Sequence, residues 1–217
     1  MTAALPVTVR PLTPARFADL EAVFEARGCS VARGCWCMFY RESGELAVPP
    51  GKRRADVRKA ALRALCEAGP PPGLIAYARL DADGAPSARG RLQPVGWVTL
   101  GPRRDFRKLA RSPVMKPVDD TPLDARLWSI VCFVVPAPCR HRGVAHALLR
   151  GAIDYAARRG ARLVEAYPVD RKARISDDAL WFGTKSMYDA AGFEEVARRR
   201  PQRPAVRLAL AARPRQA

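Results

Sequence analysis

The segment that decides the fold is Val134–Leu149, "VVPAPCRHRGVAHALL", which changes character at its middle. It begins with the β-branched residues of a strand, passes two prolines and a basic cluster, and continues beyond Gly143 as an amphipathic helix. Arg140, His141 and Arg142 stand together at this turn, where positive charges repel one another. We expect the turn to hold an anion, because the first N–H groups of a helix lack helical partners and the helix dipole adds about +0.5 charge there.

The sequences on either side of the turn predict a parallel βαβ unit. Both "RLWSIVCFVV" (126–135) and "ARLVEAYPV" (161–169) have the continuous apolar character of buried strands. Between them, "VAHALLRGAIDYAARRG" (144–160) places its apolar residues on one helical face and ends at a glycine. Strand, helix and strand in this order indicate two parallel strands joined by a crossover helix.

The remaining segments predict further strands and helices in one domain, residues 1–217, with 211–217 as a frayed basic end. We expect an α/β or α+β fold with a central, mostly antiparallel sheet, one parallel pair that splays apart, and helices on both faces. The predicted strands are 7–12, 73–84, 93–103, 193–200 and 205–210; the predicted helices are 13–26, 51–69 and 184–192; and 27–50 and 103–124 are predicted loops with short helical turns.

Composition narrows the class of protein. The chain begins without a basic segment followed by an apolar run and contains no stretch of ~18 apolar residues, so we predict a cytoplasmic protein that does not enter a membrane. Its six cysteines are then expected to be reduced thiols. A net charge of +17 favours a nucleic-acid partner, but the 38 cations are scattered along the chain, so nucleic-acid binding is only a lesser alternative.

Two motifs resemble the signatures of the GNAT superfamily of N-acetyltransferases. "RHRGVA" (140–145) is similar to its pyrophosphate-binding loop, which follows a central strand and opens a helix. "MYDAAGF" (187–193) resembles a second signature, in which a tyrosine precedes a glycine-aromatic pair by four residues. The motifs occur in the family's order with a strand between them, and the order of predicted elements is similar over most of the chain. Other segments, such as "GCWCMFYR" (34–41), look like segments of bacterial acetyltransferases.

The resemblance implies acetyl-coenzyme A (acetyl-CoA) as cosubstrate and a place for it. Its pyrophosphate would meet the N–H groups of residues 142–145, with Arg140 and His141 at the rim. Its pantetheine arm would pair with the backbone of Phe133 and Val135, extending the sheet as an added strand. Trp181 departs from the family, which often has an asparagine in contact with pantetheine at this position. The implied coenzyme contacts are Phe133, Val134, Val135, Arg140, His141, Arg142, Gly143, Val144 and Ala145.

Tyr188 and Glu165 are the candidate catalytic residues. A phenol with a pKa near ~10 can protonate a departing thiolate, so we assign Tyr188 as the general acid. Glu165 lies in an apolar strand, where its carboxylate needs solvent, an ion-pair partner or a functional cavity. It is therefore either the general base, a residue on an exposed strand face or an ion-paired residue. Ser129 and Cys132 could instead line a path for water.

The closely spaced Cys29, Cys35 and Cys37 do not predict a metal site, because structural zinc usually takes four ligands in paired short spacings. We expect Cys35, Trp36 and Phe39 to pack over the active-site cleft, with Arg41 facing solvent or substrate.

The sequence therefore predicts an acetyl-CoA-dependent N-acetyltransferase that modifies a primary amine of a small molecule, peptide or protein. A noncatalytic acyl-CoA-binding regulator on the same fold is the alternative, followed by a basic nucleic-acid-binding protein. Many members of the family are dimers, so a homodimer is one expectation. The net charge disfavours a strongly cationic acceptor, unless acidic residues at the cleft reverse it; the candidates are Asp119, Asp120, Asp177 and Asp178.

Overall fold

A seven-stranded mixed sheet forms the centre of the protein. The computed structural model describes residues 4–119, 126–170 and 180–211. The strands are β1 (Val7–Pro11), β2 (Gly73–Leu80), β3 (Arg91–Pro102), β4 (Leu127–Val134), β5 (Leu163–Ala166), β6 (Glu194–Arg200) and β7 (Arg203–Ala209). Their order across the sheet is β1-β2-β3-β4-β5-β7-β6, and only the β4-β5 pair is parallel.

The described ranges contain five α-helices. They are α1 (Phe17–Glu25), α2 (Ser30–Cys35), α3 (Arg54–Ala68), α4 (Val144–Arg158) and α5 (Lys185–Asp189), and 3₁₀ turns cover Pro14–Arg16, Arg103–Asp105, Arg107–Arg111 and Ala137–Cys139. The short helix α2 lies within the predicted loop 27–50. Within the part of the chain that the structure describes, no helix has the length and apolar character needed to cross a membrane. The predicted frayed end lies outside the described residues apart from Ala211.

Alternation along β2 places helices on both faces of the sheet. Leu74, Ala76 and Ala78 pack in one cluster with the apolar face of α4. Ile75 and Tyr77 point the other way and pack with α1, α2 and α3. The predicted fold class is therefore confirmed, with a core on each side of the sheet.

The parallel pair is short, and this shapes the site. β4 and β5 pair from Leu127 opposite Leu163 to Ile130 opposite Ala166. β5 ends there, whereas β4 continues to Val134 and keeps antiparallel β3 on its other side, with Val134 opposite Trp97. One edge of β4 beyond Ile130 is thus left without β5, as the predicted splay requires.

Close packing at Gly73 joins β2 to β3. A Cβ atom at this position would overlap the Trp97 ring and the carbonyl oxygen of Val98. We expect Gly73→Ala to lower the free energy of unfolding by about 1–3 kcal/mol, because backbone cannot yield as a flexible side chain does. Urea denaturation measures this. Gly44→Ala is the control, since no atom lies within 4 Å of the added Cβ; equal stability of the two variants would contradict the packing argument.

Candidate active site

A cavity of about 880 Å³ lies along the end of β4 that extends past β5. Most of its wall comes from four stretches of the chain: residues 28–40, the β4 end at 131–135, residues 139–146 at the start of α4, and residues 180–187. Arg58 of α3 and Thr99 of β3 complete it. The cavity therefore joins the predicted anion-binding turn to the cysteine-rich segment.

The turn before α4 has the backbone of an anion site. Gly143 caps the helix with a φ of 81°, and His141 also has a positive φ, 57°. The first bond of the helix runs from the Ala147 N–H to the Gly143 carbonyl (3.0 Å), so Val144, Ala145 and the following residue have N–H groups without an acceptor inside the helix. His141, Gly143, Val144 and Ala145 all line the cavity.

The two arginines of the turn contact the protein itself. Arg140 donates from Nε to the Val135 carbonyl (3.0 Å) and from Nη2 to the Gly28 carbonyl (2.7 Å). Arg142 donates from Nη1 to the Gly84 carbonyl (2.9 Å). These bonds hold the turn against the end of β4 and neighbouring loops. Both guanidinium groups therefore fix the conformation of the turn and also give it positive charge.

The exposed edge of β4 already has a partner. The Phe133 N–H donates to the Trp181 carbonyl at 2.6 Å. At Val135, the carbonyl accepts the Arg140 bond. The sequence analysis expected a pantetheine arm to pair with the backbone of Phe133 and Val135. In the structure a ligand could take the Phe133 N–H only if Trp181 moved.

Tyr188 is completely buried on α5. Its ring lies against those of Phe133 and Phe193, with centroid distances of 6.4 and 5.0 Å. Its hydroxyl makes no hydrogen bond to the described residues. Burial, and to a smaller degree the nearby Cys132 thiol, raise the pKa of Tyr188, so the phenol stays protonated. An unpaired buried hydroxyl is costly and needs a reason.

Glu165 lies away from the cavity, in a buried ion network. Its Oε1 accepts from Arg103 Nε (2.8 Å) and from the Tyr167 hydroxyl, and its Oε2 accepts from Arg207 Nε (2.8 Å). Glu165 is fully buried, and its strand neighbour Ser129 is buried as well. Because both carboxylate oxygens are occupied, this geometry favours the ion-pair alternative over a general base at Glu165.

The same network attaches the 103–119 segment to the sheet. Arg103 Nη2 donates to the Met115 carbonyl (2.7 Å), and Arg207 Nη1 to Asp119 (2.7 Å). Asp119 thus pairs with an arginine, while Asp120, Asp177 and Asp178 lie outside the described residues. The apolar context of Glu165 signals a cationic partner, but nothing in the sequence selects Arg103 and Arg207 from so many arginines.

Three thiols meet in the cavity wall. Cys35, Cys37 and Cys132 all line it, and the Cys132 thiol donates to the Phe133 carbonyl (3.7 Å). The neighbouring Cys37 thiol and burial raise the pKa of Cys132, and burial raises that of Cys35. Among the described residues, no group of three or more His, Cys, Asp or Glu side chains is arranged to hold a metal ion.

The cysteine-rich segment packs only partly as expected. Phe39 lines the cavity, but Trp36 is buried beneath α1, with centroid distances of 6.5 Å to Phe17 and 4.9 Å to Phe24. The Arg41 side chain is mostly enclosed, with 8% of its surface exposed, which corrects the expectation that it faces solvent or substrate. It donates to the Leu100 carbonyl (3.3 Å), and its guanidinium carbon lies 4.2 Å from the Phe106 ring centroid.

Glu165→Gln tests the structural role of Glu165. Removing its charge leaves Arg103, which is only 2% exposed, without a carboxylate partner, while Arg207 keeps Asp119. We therefore expect a loss of about 3 kcal/mol or more in the free energy of unfolding. The control is Glu195→Gln, whose partner Arg198 lies at the surface, with an expected loss below about 1 kcal/mol.

Turnover by the folded fraction of Glu165→Gln should stay near that of the native protein. A large loss of turnover at unchanged stability would restore the general-base interpretation.

The chain is similar to a known family and to several solved structures. Residues 52–174 match the model of the Acetyltransferase (GNAT) family. A GCN5-related N-acetyltransferase from Kribbella flavida is 19% identical, with 94% of this chain and 98% of that chain covered and a TM-score of 0.48. The YncA protein of Salmonella typhimurium, solved with its cofactor acetyl-CoA, is 16% identical over 95% of each chain, with a TM-score of 0.49.

An acetyltransferase from Thermus thermophilus is also 16% identical, over 96% of this chain and all of that chain, with a TM-score of 0.49. No curated protein matches the chain. The family match covers more than half of the 217 residues and includes the predicted pyrophosphate loop. The chain therefore belongs to the GNAT family of acetyltransferases.

Proposed function

We propose that the protein transfers the acetyl group of acetyl-CoA to a primary amine of a small molecule, peptide or protein. Acetyl-CoA is the cosubstrate, as membership of this acetyltransferase family implies. The observation that carries the proposal is the continuous cavity, which leads from the N-terminus of α4 along β4 to the Cys132 thiol near Tyr188. This is the path that a diphosphate with an acylated arm requires.

The residues present fit the coenzyme's diphosphate. Val144 and Ala145 offer N–H groups without helical acceptors, and the Arg140 charge lies beside them. Gly143 has no atom within 4 Å of the position of a Cβ, so a phosphate group can approach its backbone closely. Directed N–H donors and the helix dipole together stabilise the negative charge.

The arm would replace Trp181 at the sheet edge. In this proposal a pantetheine carbonyl accepts from the Phe133 N–H in place of the Trp181 carbonyl. One bond to a carbonyl is exchanged for another, so the strand edge stays satisfied. The thioester then lies next to Cys132, whose thiol lies near the buried Tyr188.

The chemistry consists of one attack and two proton movements. The nitrogen lone pair attacks the thioester carbon, the C–S bond breaks, and sulfur receives the Tyr188 proton; the amine's proton then returns to the phenolate. An alkylamine with a pKa near ~10.4 is neutral in only about one molecule in a thousand at neutral pH. Because Glu165 is held in its ion network, we propose that solvent deprotonates the amine before it enters.

Gly143→Asp tests the coenzyme site against Gly160→Asp at the other end of α4. Both glycines have a positive φ and open space where a Cβ would lie, so each change should cost about 1–2 kcal/mol in the free energy of unfolding. Only Gly143→Asp places a carboxylate beside the diphosphate, so we expect its affinity for acetyl-CoA, measured by calorimetry, to fall at least about tenfold.

The same titrations, combined with a thiol-release assay over a panel of amines, distinguish the proposed acetyltransferase from the two alternative functions. No binding of acetyl-CoA at millimolar concentration would contradict the proposal. Binding without thiol release on any amine would favour the noncatalytic regulator, and salt-sensitive duplex binding without coenzyme binding would favour the nucleic-acid alternative.

Tyr188→Phe tests the proton donor. We expect turnover to fall at least about tenfold, the range of a lost general acid, with little change in coenzyme affinity. The free energy of unfolding should stay within about 1 kcal/mol or rise, because the deleted hydroxyl has no partner among the described residues. Unchanged turnover, under conditions where chemistry limits the rate, would remove Tyr188 from this role.

A further inference from the structure

The end of the cavity that α2 and the residues after it enclose is largely apolar. In the proposed complex the coenzyme occupies the strand edge and the turn, so the acceptor is placed against this end. No acidic residue is among the cavity-lining residues of the described ranges. Besides Arg58, the wall at this end includes Val31, Ala32, Cys35, Cys37, Phe39 and Tyr40.

Apolar side chains also reach the rim of this end. Val31 is 55% exposed and Phe39 is 42% exposed, and both line the cavity. They account for two of the four large apolar side chains that are exposed in the described ranges; Leu92 and Val196 are the others. Exposed apolar groups gathered at the mouth of a cavity indicate a site for an apolar partner.

The charges beside this wall are positive in sum. Arg58 lines the cavity and donates to Glu42 from Nε at 2.7 Å, and Lys108 donates to the same carboxylate at 2.6 Å. Two cations therefore share one anion. Both also lie over the Phe39 ring, the Lys108 nitrogen 4.0 Å and the Arg58 guanidinium carbon 5.9 Å from its centroid. A cationic group on the acceptor would meet repulsion here in addition to its desolvation cost.

From this lining and charge we infer that the acceptor is an apolar monoamine, with an alkyl or aromatic body and no second positive charge. The inference rests on the proposed function and names its substrate class. The amine body lies against Phe39, Tyr40 and Val31, while the neutral nitrogen points toward the thioester. Polyamines and lysine-rich peptides are excluded, because their remaining ammonium groups would lie near Arg58 and Lys108.

Hexylamine and 1,6-diaminohexane form the matched test pair, since they differ in one terminal group. Thiol release with acetyl-CoA gives kcat/KM for each. We expect hexylamine to exceed the diamine by at least about tenfold, although the diamine has two reactive nitrogens. A diamine that reacts equally well or better would overturn the inference.

Val31→Asp sharpens the test by adding a carboxylate at the rim. It should raise kcat/KM for the diamine severalfold relative to hexylamine, since the new charge pairs with the distal ammonium. Leu92→Asp, which replaces an exposed apolar residue of β3 away from the cavity, should leave the ratio as in the native protein. Equal effects of the two variants would contradict the assignment of the acceptor end.

Failure of the proposed function gives a different result. If acetyl-CoA binds but no amine releases thiol, amine acetylation is wrong, and calorimetry of the two amines with the coenzyme-A complex decides the inference by itself. The inference would then be supported if the native protein bound hexylamine more tightly than the diamine and Val31→Asp lost that preference. Equal binding of both amines, or binding of neither, would overturn it.

Discussion

The parallel pairing of β4 with β5 is the constraint on which the site depends. It lasts for only four residue pairs, after which β5 ends and β4 continues. A parallel pair requires a crossover, and here the crossover is α4, so the helix N-terminus must return to the point where the strands part. The unpaired strand edge and the anion-binding helix end are thus adjacent as a consequence of topology. The cavity lies between them.

The buried network around Glu165 keeps the sheet joined on the far side of this split. Arg103 comes from the segment after β3, Glu165 from β5 and Arg207 from β7, so one carboxylate links three parts of the chain. Burying these charges is costly. The hydrogen bonds from the Tyr167 hydroxyl to Glu165 and from Arg103 to the Met115 carbonyl offset part of that cost. The network occupies the site where a catalytic carboxylate was expected, which explains why proton removal is assigned to solvent.

Local sequence patterns predicted the helices and strands. They did not predict contacts between residues that are far apart in the sequence. The βαβ unit and the turn at Gly143 follow from periodicity and a helix-start signal, which neighbouring residues determine. Arg103 lies 62 residues from Glu165 in sequence, and many other arginines could have filled its place. The bond from the Phe133 N–H to the Trp181 carbonyl involves only backbone, which carries no residue-specific signal. Phe39 lines the cavity as expected, whereas Trp36 of the same segment lies against Phe24, a contact that no local pattern predicted.

The hydrogen bond from the Phe133 N–H of β4 to the Trp181 carbonyl has a consequence for substrate binding. In the proposed complex the coenzyme can pair with Phe133 only in molecules where this bond has opened, so the apparent affinity is reduced by the open fraction. Trp181 and Leu180 also line the chamber in which the acceptor would lie. Their displacement by the first ligand reshapes the space offered to the second. The two substrates would then add in a fixed sequence, coenzyme before amine, in a ternary-complex pathway.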